Sequence, residues 1–184
     1  MKALVVYESM FGNTEAVARA IADGLSGQID VDVYEVSEAP APVTDLVDII
    51  VVGGPTHAFS LSRSSTREDA IRQGATHGEQ DIGLREWLAH LRRGPHSELV
   101  AAFDTRVDRV RRLPGSAATK AAKLVRHLGY TPVGRQSFYV SDTPGPLFPG
   151  ELERARSWGT QLASDMVERS HGRPVRRSPG RPVA

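Results

Sequence analysis

Short apolar runs alternate with amphipathic helical patterns along this chain, and that alternation leaves few architectures open. Lys2-Ala3-Leu4-Val5-Val6-Tyr7 reads as a buried strand. Ala16, Val17, Ala20, Ile21 and Leu25 follow it at helical spacing. Further strands are expected from Ile29 to Val36, Asp48 to Gly53, Leu99 to Phe103 and Gln136 to Val140. The second alternates polar and apolar residues, as an edge strand does, whereas the third is apolar enough to be buried on both faces. Helical patterns fall at Ser64 to Gln73, Leu84 to Leu91, Ser116 to Leu128 and Glu151 to Met166. Leu84, Trp87, Leu88 and Leu91 form one apolar stripe, and Leu152, Ala155, Trp158, Leu162 and Met166 form another; both are read as core faces. Between strands two and three, Pro40 and Pro42 argue against a regular helix. This order predicts an α/β domain with a five-stranded parallel sheet and helices on both faces.

Composition limits the function classes. The chain has 184 residues, enough for one domain with a sizeable core. A net charge of +1 gives no global field favouring nucleic acid or an acidic membrane. Cysteine is absent, which excludes disulfides, thiolate catalysis and iron–sulfur ligation. His77, His90, His96, His127 and His171 show no metal-ligand spacing, and no metal site is expected. The apolar run after Lys2 is shorter than the ~7–15-residue core of a secretory signal. No stretch approaches the ~20 apolar residues of a membrane span. The cytoplasm is the expected location. Residues 1–168 are expected to form the domain. Residues 169–184, rich in arginine, proline and glycine, read as a basic, disordered tail.

In a parallel α/β sheet, ligands sit beyond the carboxyl ends of the strands. Three loops there have unusual content: Ser9 to Thr14, Gly53 to Ser60, and the segment from Asp104 to Ser116. The first joins a strand to a helix N-terminus, where unpaired N–H groups and the helix dipole favour an anion. Ser9 and Thr14 supply hydroxyls, Asn13 an amide, and Gly12 lets the backbone approach closely. The Gly-Lys-Ser/Thr ending of a nucleotidase P-loop is missing, which suits a held monophosphate better than a polyphosphate being transferred.

The motif Ser9-Met10-Phe11-Gly12-Asn13-Thr14-Glu15 closely resembles the phosphate loop of flavodoxins and of the flavodoxin domain in flavo-diiron proteins. Gly53-Gly54-Pro55-Thr56-His57-Ala58-Phe59 resembles the loop that covers one face of the flavin. The segment from Asp104 takes the place of the one beside the opposite face and the pyrimidine edge. The resemblance runs from Met1 to about Met166. It implies a flavodoxin-like, doubly wound sheet in the order 2-1-3-4-5, with FMN as cofactor. Ser9, Met10, Phe11, Gly12, Asn13 and Thr14 would then bind the phosphate. Pro55, Thr56, His57, Ala58 and Phe59 would line the ring, and Asp104, Thr105 and Arg106 would meet its pyrimidine end. No catalytic residue is implied.

Electron transfer to a redox partner protein is the first expectation from this resemblance. A small FMN-dependent reductase of quinones or similar acceptors is the alternative, and a non-redox interaction module is the third reading. Two departures bear on the choice. Phe11 stands where many flavodoxins have a hydroxyl residue. The third loop carries Arg106, Arg109, Arg111 and Arg112 against one internal acid, Asp108, and has no aromatic, whereas electron-carrier flavodoxins are typically strongly acidic. A cation beside the reduced, anionic flavin favours it, so a less strongly reducing flavin is expected. His57 could donate a hydrogen bond to the flavin or supply a proton near neutral pH.

Overall fold

The computed structural model describes residues 1–41, 43 and 46–171. Five parallel strands form one sheet: β1 (Lys2–Tyr7), β2 (Asp30–Glu35), β3 (Ile49–Pro55), β4 (Leu99–Val107) and β5 (Thr131–Val140). Their order is β2-β1-β3-β4-β5, as expected. The chain leaves β1 toward β2 and then crosses back to pair β3 on the other side of β1. This reversal makes the carboxyl ends of β1 and β3 the topological switch point, where a crevice opens.

Alternation along the strands divides the core into two layers. Ala3, Val5, Val51, Ala101 and Phe103 face α1 (Asn13–Ser26) and α5 (Glu151–His171). Leu4, Val6, Ile50, Val52, Val100 and Ala102 face α3 (Leu84–Ala89) and α4 (Ala117–Leu128). Successive side chains of a strand point to opposite faces, so β1 and β3 must be apolar throughout to fill both layers. α2 (Ser64–Arg72) lies between β3 and α3 in the chain. Trp87, Leu88 and Leu91 are buried, as their spacing requires. Leu152 departs from its stripe: it sits in the first turn of α5 and is 43% exposed, while Ala155, Leu162 and Met166 are buried.

Two strands run further than their sequences suggest. β4 continues through Asp104, Thr105 and Arg106 to Val107, because its ladders extend: Gly54 and Pro55 pair with Asp104 and Thr105, and Arg106 with Tyr139. β5 begins at Thr131, five residues before the expected start. Pro132 and Gly134 look like turn residues, but β5 is an edge strand and its register shifts there, the setting in which proline and glycine are tolerated. Helix α5 runs to His171, past the expected boundary at 168. Residues 172–184, most of the basic tail, lie outside the described residues. Between β2 and β3 the described residues contain no helix. No helix among them is long and apolar enough to cross a membrane.

Candidate functional site

The switch-point crevice is a pocket of about 260 Å3. Met10, Phe11, Asn13 and Thr14 line it from the first loop, Pro55, Thr56, His57 and Ala58 from the second, and Thr105 and Arg106 from the end of β4. Three segments remote in sequence therefore converge because their strands are neighbours.

The first loop is poised for an anion. Gly12 is the residue that caps α1, with a left-handed φ of 81° that a side chain would strain. No side chain caps this helix. The N–H groups of Asn13, Thr14 and Glu15 have no hydrogen-bond partner among the described residues. Ser9 is 1% exposed, and its Oγ is buried without a partner. A buried orphan hydroxyl is costly unless something else satisfies it. Two other expected donors are already engaged. Thr14 Oγ1 shares a 2.7 Å hydrogen bond with Thr105 Oγ1, and Asn13 Nδ2 donates to the Pro144 carbonyl at 3.0 Å.

The contrast with α4 is informative. There the first-turn N–H groups are all engaged: Ala117 donates to Thr56 Oγ1, Ala118 to Asp104 Oδ2 and Thr119 to Ser116 Oγ. Asp104 is thus fully buried as an anchor for α4 and does not line the pocket. One helix terminus at this rim is satisfied by protein and the other is left open.

The second loop is a tight turn. His57 and Ser60 exchange two backbone hydrogen bonds of 3.0 Å. Ala58 and Phe59 between them have φ of 45° and 62°, the left-handed pattern of a type I′ turn adopted without glycine. Such strain persists where surrounding contacts over-determine it. Gly115 supplies one such contact, since a Cβ there would lie 2.7 Å from the Phe59 carbonyl oxygen. Phe59 is 46% exposed and stands outside the pocket wall. His57 is half-buried. Burial first, and the positive Arg67 second, hold its imidazole below the usual histidine range. It is therefore neutral at pH 7, suited to hydrogen bonding and poorly suited to supplying a proton there.

Arg106 is 7% exposed and not part of a solvated loop. Its Nη2 donates to the carbonyls of Val110 (2.6 Å) and Leu113 (3.3 Å), and so holds the turn that follows β4. Arg109 and Arg111 are exposed and pair with Asp142 and Asp108.

The structure adds a wall that sequence reasoning missed. Thr66, Asp69, Ala70 and Gln73 line the pocket from α2 and its end, and Thr143 lines it from the β5–α5 connection. Their i, i+3, i+4, i+7 spacing was the available signal, but a stripe of small and polar residues looks like a solvated face. Beyond α2 the chain returns over the first loop. His77 N donates to the Met10 carbonyl, and a Cβ on Gly12 would lie 3.4 Å from the His77 ring. Among the described residues no cluster of three His, Asp or Glu could hold a metal.

Residues 5–79, from β1 through the first loop to the segment after α2, match the family model for flavodoxin. A flavodoxin from the domain Archaea is similar in structure, with a TM-score of 0.61 and 23% identity over 91% of this chain and 99% of that one. The flavodoxin of Streptococcus pneumoniae TIGR4 has a TM-score of 0.61 and 20% identity, covering 90% and 99%. Two-electron reduced Megasphaera elsdenii flavodoxin has a TM-score of 0.55 and 18% identity, covering 86% and 98%. Among curated proteins none matches the sequence. The parallel sheet in the order β2-β1-β3-β4-β5 and these structural neighbours give the chain a flavodoxin-like fold, and its residues 5–79 are similar to the flavodoxin family.

Proposed function

We propose that the chain binds FMN at the switch-point pocket and uses it for electron transfer. The observation that carries this reading is the open N-terminus of α1 beside the orphan Ser9 hydroxyl, set against the fully satisfied terminus of α4. The phosphate would rest on the N–H groups of the Ser9–Thr14 loop, with Gly12 allowing close approach. Pro55, Thr56, His57 and Ala58 would bound the ring, with Phe59 at its exposed margin. Thr105 and Arg106 would meet its pyrimidine end, with Asp104 fixing α4 behind them. Bound FMN supplies the group that accepts and releases electrons, while the protein sets its surroundings. The absence of cysteine fits a reducing compartment, and the cytoplasm is the proposed setting.

Fluorescence titration tests the reading. FMN emission should be quenched on binding, and FMN should bind far more tightly than riboflavin, which lacks the phosphate. A colourless protein that ignores added FMN would leave only the non-redox interaction module. With FMN bound, turnover with quinones alone would identify a reductase. Turnover only with a reductase and an acceptor protein would identify a carrier.

Arg106 is the cation built into the pocket wall. It should favour the reduced, anionic flavin and make it less strongly reducing. Arg106→Ala should therefore lower the midpoint potential by tens of millivolts in a redox titration. An unchanged or higher potential would remove Arg106 as the cause.

A further inference from the structure

A second concavity, about 480 Å3, shares Arg106 with the first pocket and lies where the β4–α4 connection meets β5 and the first turn of α5. Four arginines line it, Arg106, Arg111, Arg135 and Arg154, and no aspartate or glutamate does. Hydroxyls and amides, among them Thr119, Gln136 and Ser137, complete the wall.

The charges here are under-compensated. Arg154 is held by Glu151 and donates to the Ser137 carbonyl at 2.6 Å, and Arg111 pairs with Asp108 at 3.2 Å. Arg135 is exposed and has neither ion pair nor hydrogen-bond partner for its side chain among the described residues. Arg106 is more than nine-tenths buried, yet its Nε has no partner. Two carboxylates thus serve four cations, and both stand outside the groove. Like charges gathered in a concave, partly desolvated site repel unless an anion joins them. The helix terminus of α4 is not the attraction, since its first-turn N–H groups are already bonded.

The chemistry of the wall selects the ligand. Guanidinium forks match phosphate oxygens, and several arginines around one groove suit more than one phosphoryl group. Leu113 and Tyr139 are the only large apolar side chains of this wall, and the Arg154 guanidinium already lies 5.7 Å over the Tyr139 ring. We propose that this groove binds the diphosphate group of a small phosphate-bearing ligand, at a site separate from the Ser9–Thr14 loop.

Calorimetric titration of inorganic pyrophosphate into the FMN-loaded protein tests this, with citrate at matched ionic strength as the carboxylate counterpart. Pyrophosphate should bind saturably and at least about tenfold more tightly than citrate, given the geometric match of guanidinium to phosphate. Arg135→Glu should weaken pyrophosphate binding by at least about tenfold, because it replaces an attraction with a repulsion. The Arg135 side chain is exposed and makes no hydrogen bond or ion pair among the described residues. Absence of saturable binding, citrate binding as tightly, or Arg135→Glu titrating like wild type would each overturn the proposal. The same pair of titrations on flavin-free protein separates the two sites: the loop is the one that FMN blocks, and the groove is the one that Arg135→Glu removes.

Discussion

Arg67→Met should destabilise the protein by about 3–5 kcal/mol, the usual result of removing one partner from a buried ion pair. Arg67 is wholly buried, which a guanidinium tolerates only with its donors engaged. Its Nε donates to the Gln80 carbonyl at 2.8 Å and its Nη1 to Ser62 Oγ at 2.8 Å, while Nη2 has no hydrogen-bond partner and is met by the charge of Glu86 Oε2 at 3.1 Å. Glu8 is the second charge of this cluster, buried and accepting from Leu84 N at 2.8 Å. The two converge on Gly83, where a Cβ would lie 2.4 Å from Arg67 Nη1 and 2.7 Å from Glu8 Oε2. Burial pushes the Glu8 carboxyl above its usual range, against the opposing pull of Ser62, the Leu84 N–H and Arg67. The folded state thus holds the Glu8 proton more tightly than the unfolded state does. Stability associated with Glu8 is full below the ordinary glutamate range and is lost as pH rises toward the raised value. Without Arg67 that loss should be larger and extend to higher pH. Glu8→Gln in the Arg67→Met background should flatten the pH dependence and restore part of the stability. Urea denaturation of wild type, Arg67→Met and the double variant across pH reads both effects. An Arg67→Met protein as stable as wild type, or a double variant with an unchanged slope, would refute this account. Arg67 also anchors the helix whose Thr66, Asp69, Ala70 and Gln73 wall the pocket, so FMN affinity should fall in the protein that still folds.

Gly159→Val should cost about 3 kcal/mol or more, at or beyond the upper end of ordinary overpacking. A Cβ at Gly159 would lie 2.2 Å from the Ile21 carbonyl oxygen, and one at Gly24 would lie 2.1 Å from the Arg156 carbonyl oxygen. Both obstacles are backbone, which cannot turn aside as a side chain can. Helices α1 and α5 therefore meet almost backbone to backbone. The sign of the alanine variants makes the test sharp. An ordinary helical glycine gains about 0.5–1 kcal/mol when replaced by alanine. Gly24→Ala and Gly159→Ala should lose stability instead, because any Cβ must force the helices apart. Thermal melts decide it, and a rise in Tm for either would refute the close crossing. Because α1 carries the open N–H groups of the first loop, variants that shift it should also weaken FMN binding more than riboflavin binding.

What was legible in the sequence was what local periodicity encodes. Continuous apolar runs at Leu4–Val6 and Ile49–Val52 mark strands buried on both faces, and the alternation around Val31 and Val33 marks an edge. Stripes at helical spacing give α1, α3 and α4, and the Ser9–Thr14 segment reads as a loop between a strand and a helix N-terminus. These features depend on neighbours a few residues apart, so the chain itself carries them. The tertiary structure decided which polar groups have partners. Asp104 and Arg106 read as loop residues beside a ligand; strand pairing draws both into β4, where one anchors α4 and the other ties down the following turn. Thr66, Asp69, Ala70 and Gln73 fall within an expected helix but carry no sequence sign of a binding wall; the tertiary structure places them along the pocket. Arg67 became buried only because Glu8, Ser62, Gln80 and Glu86 arrive around it from other parts of the chain. Apolar burial is additive and local enough to read from spacing. The fate of a charge depends on which single atoms meet it, and long-range pairing alone settles that.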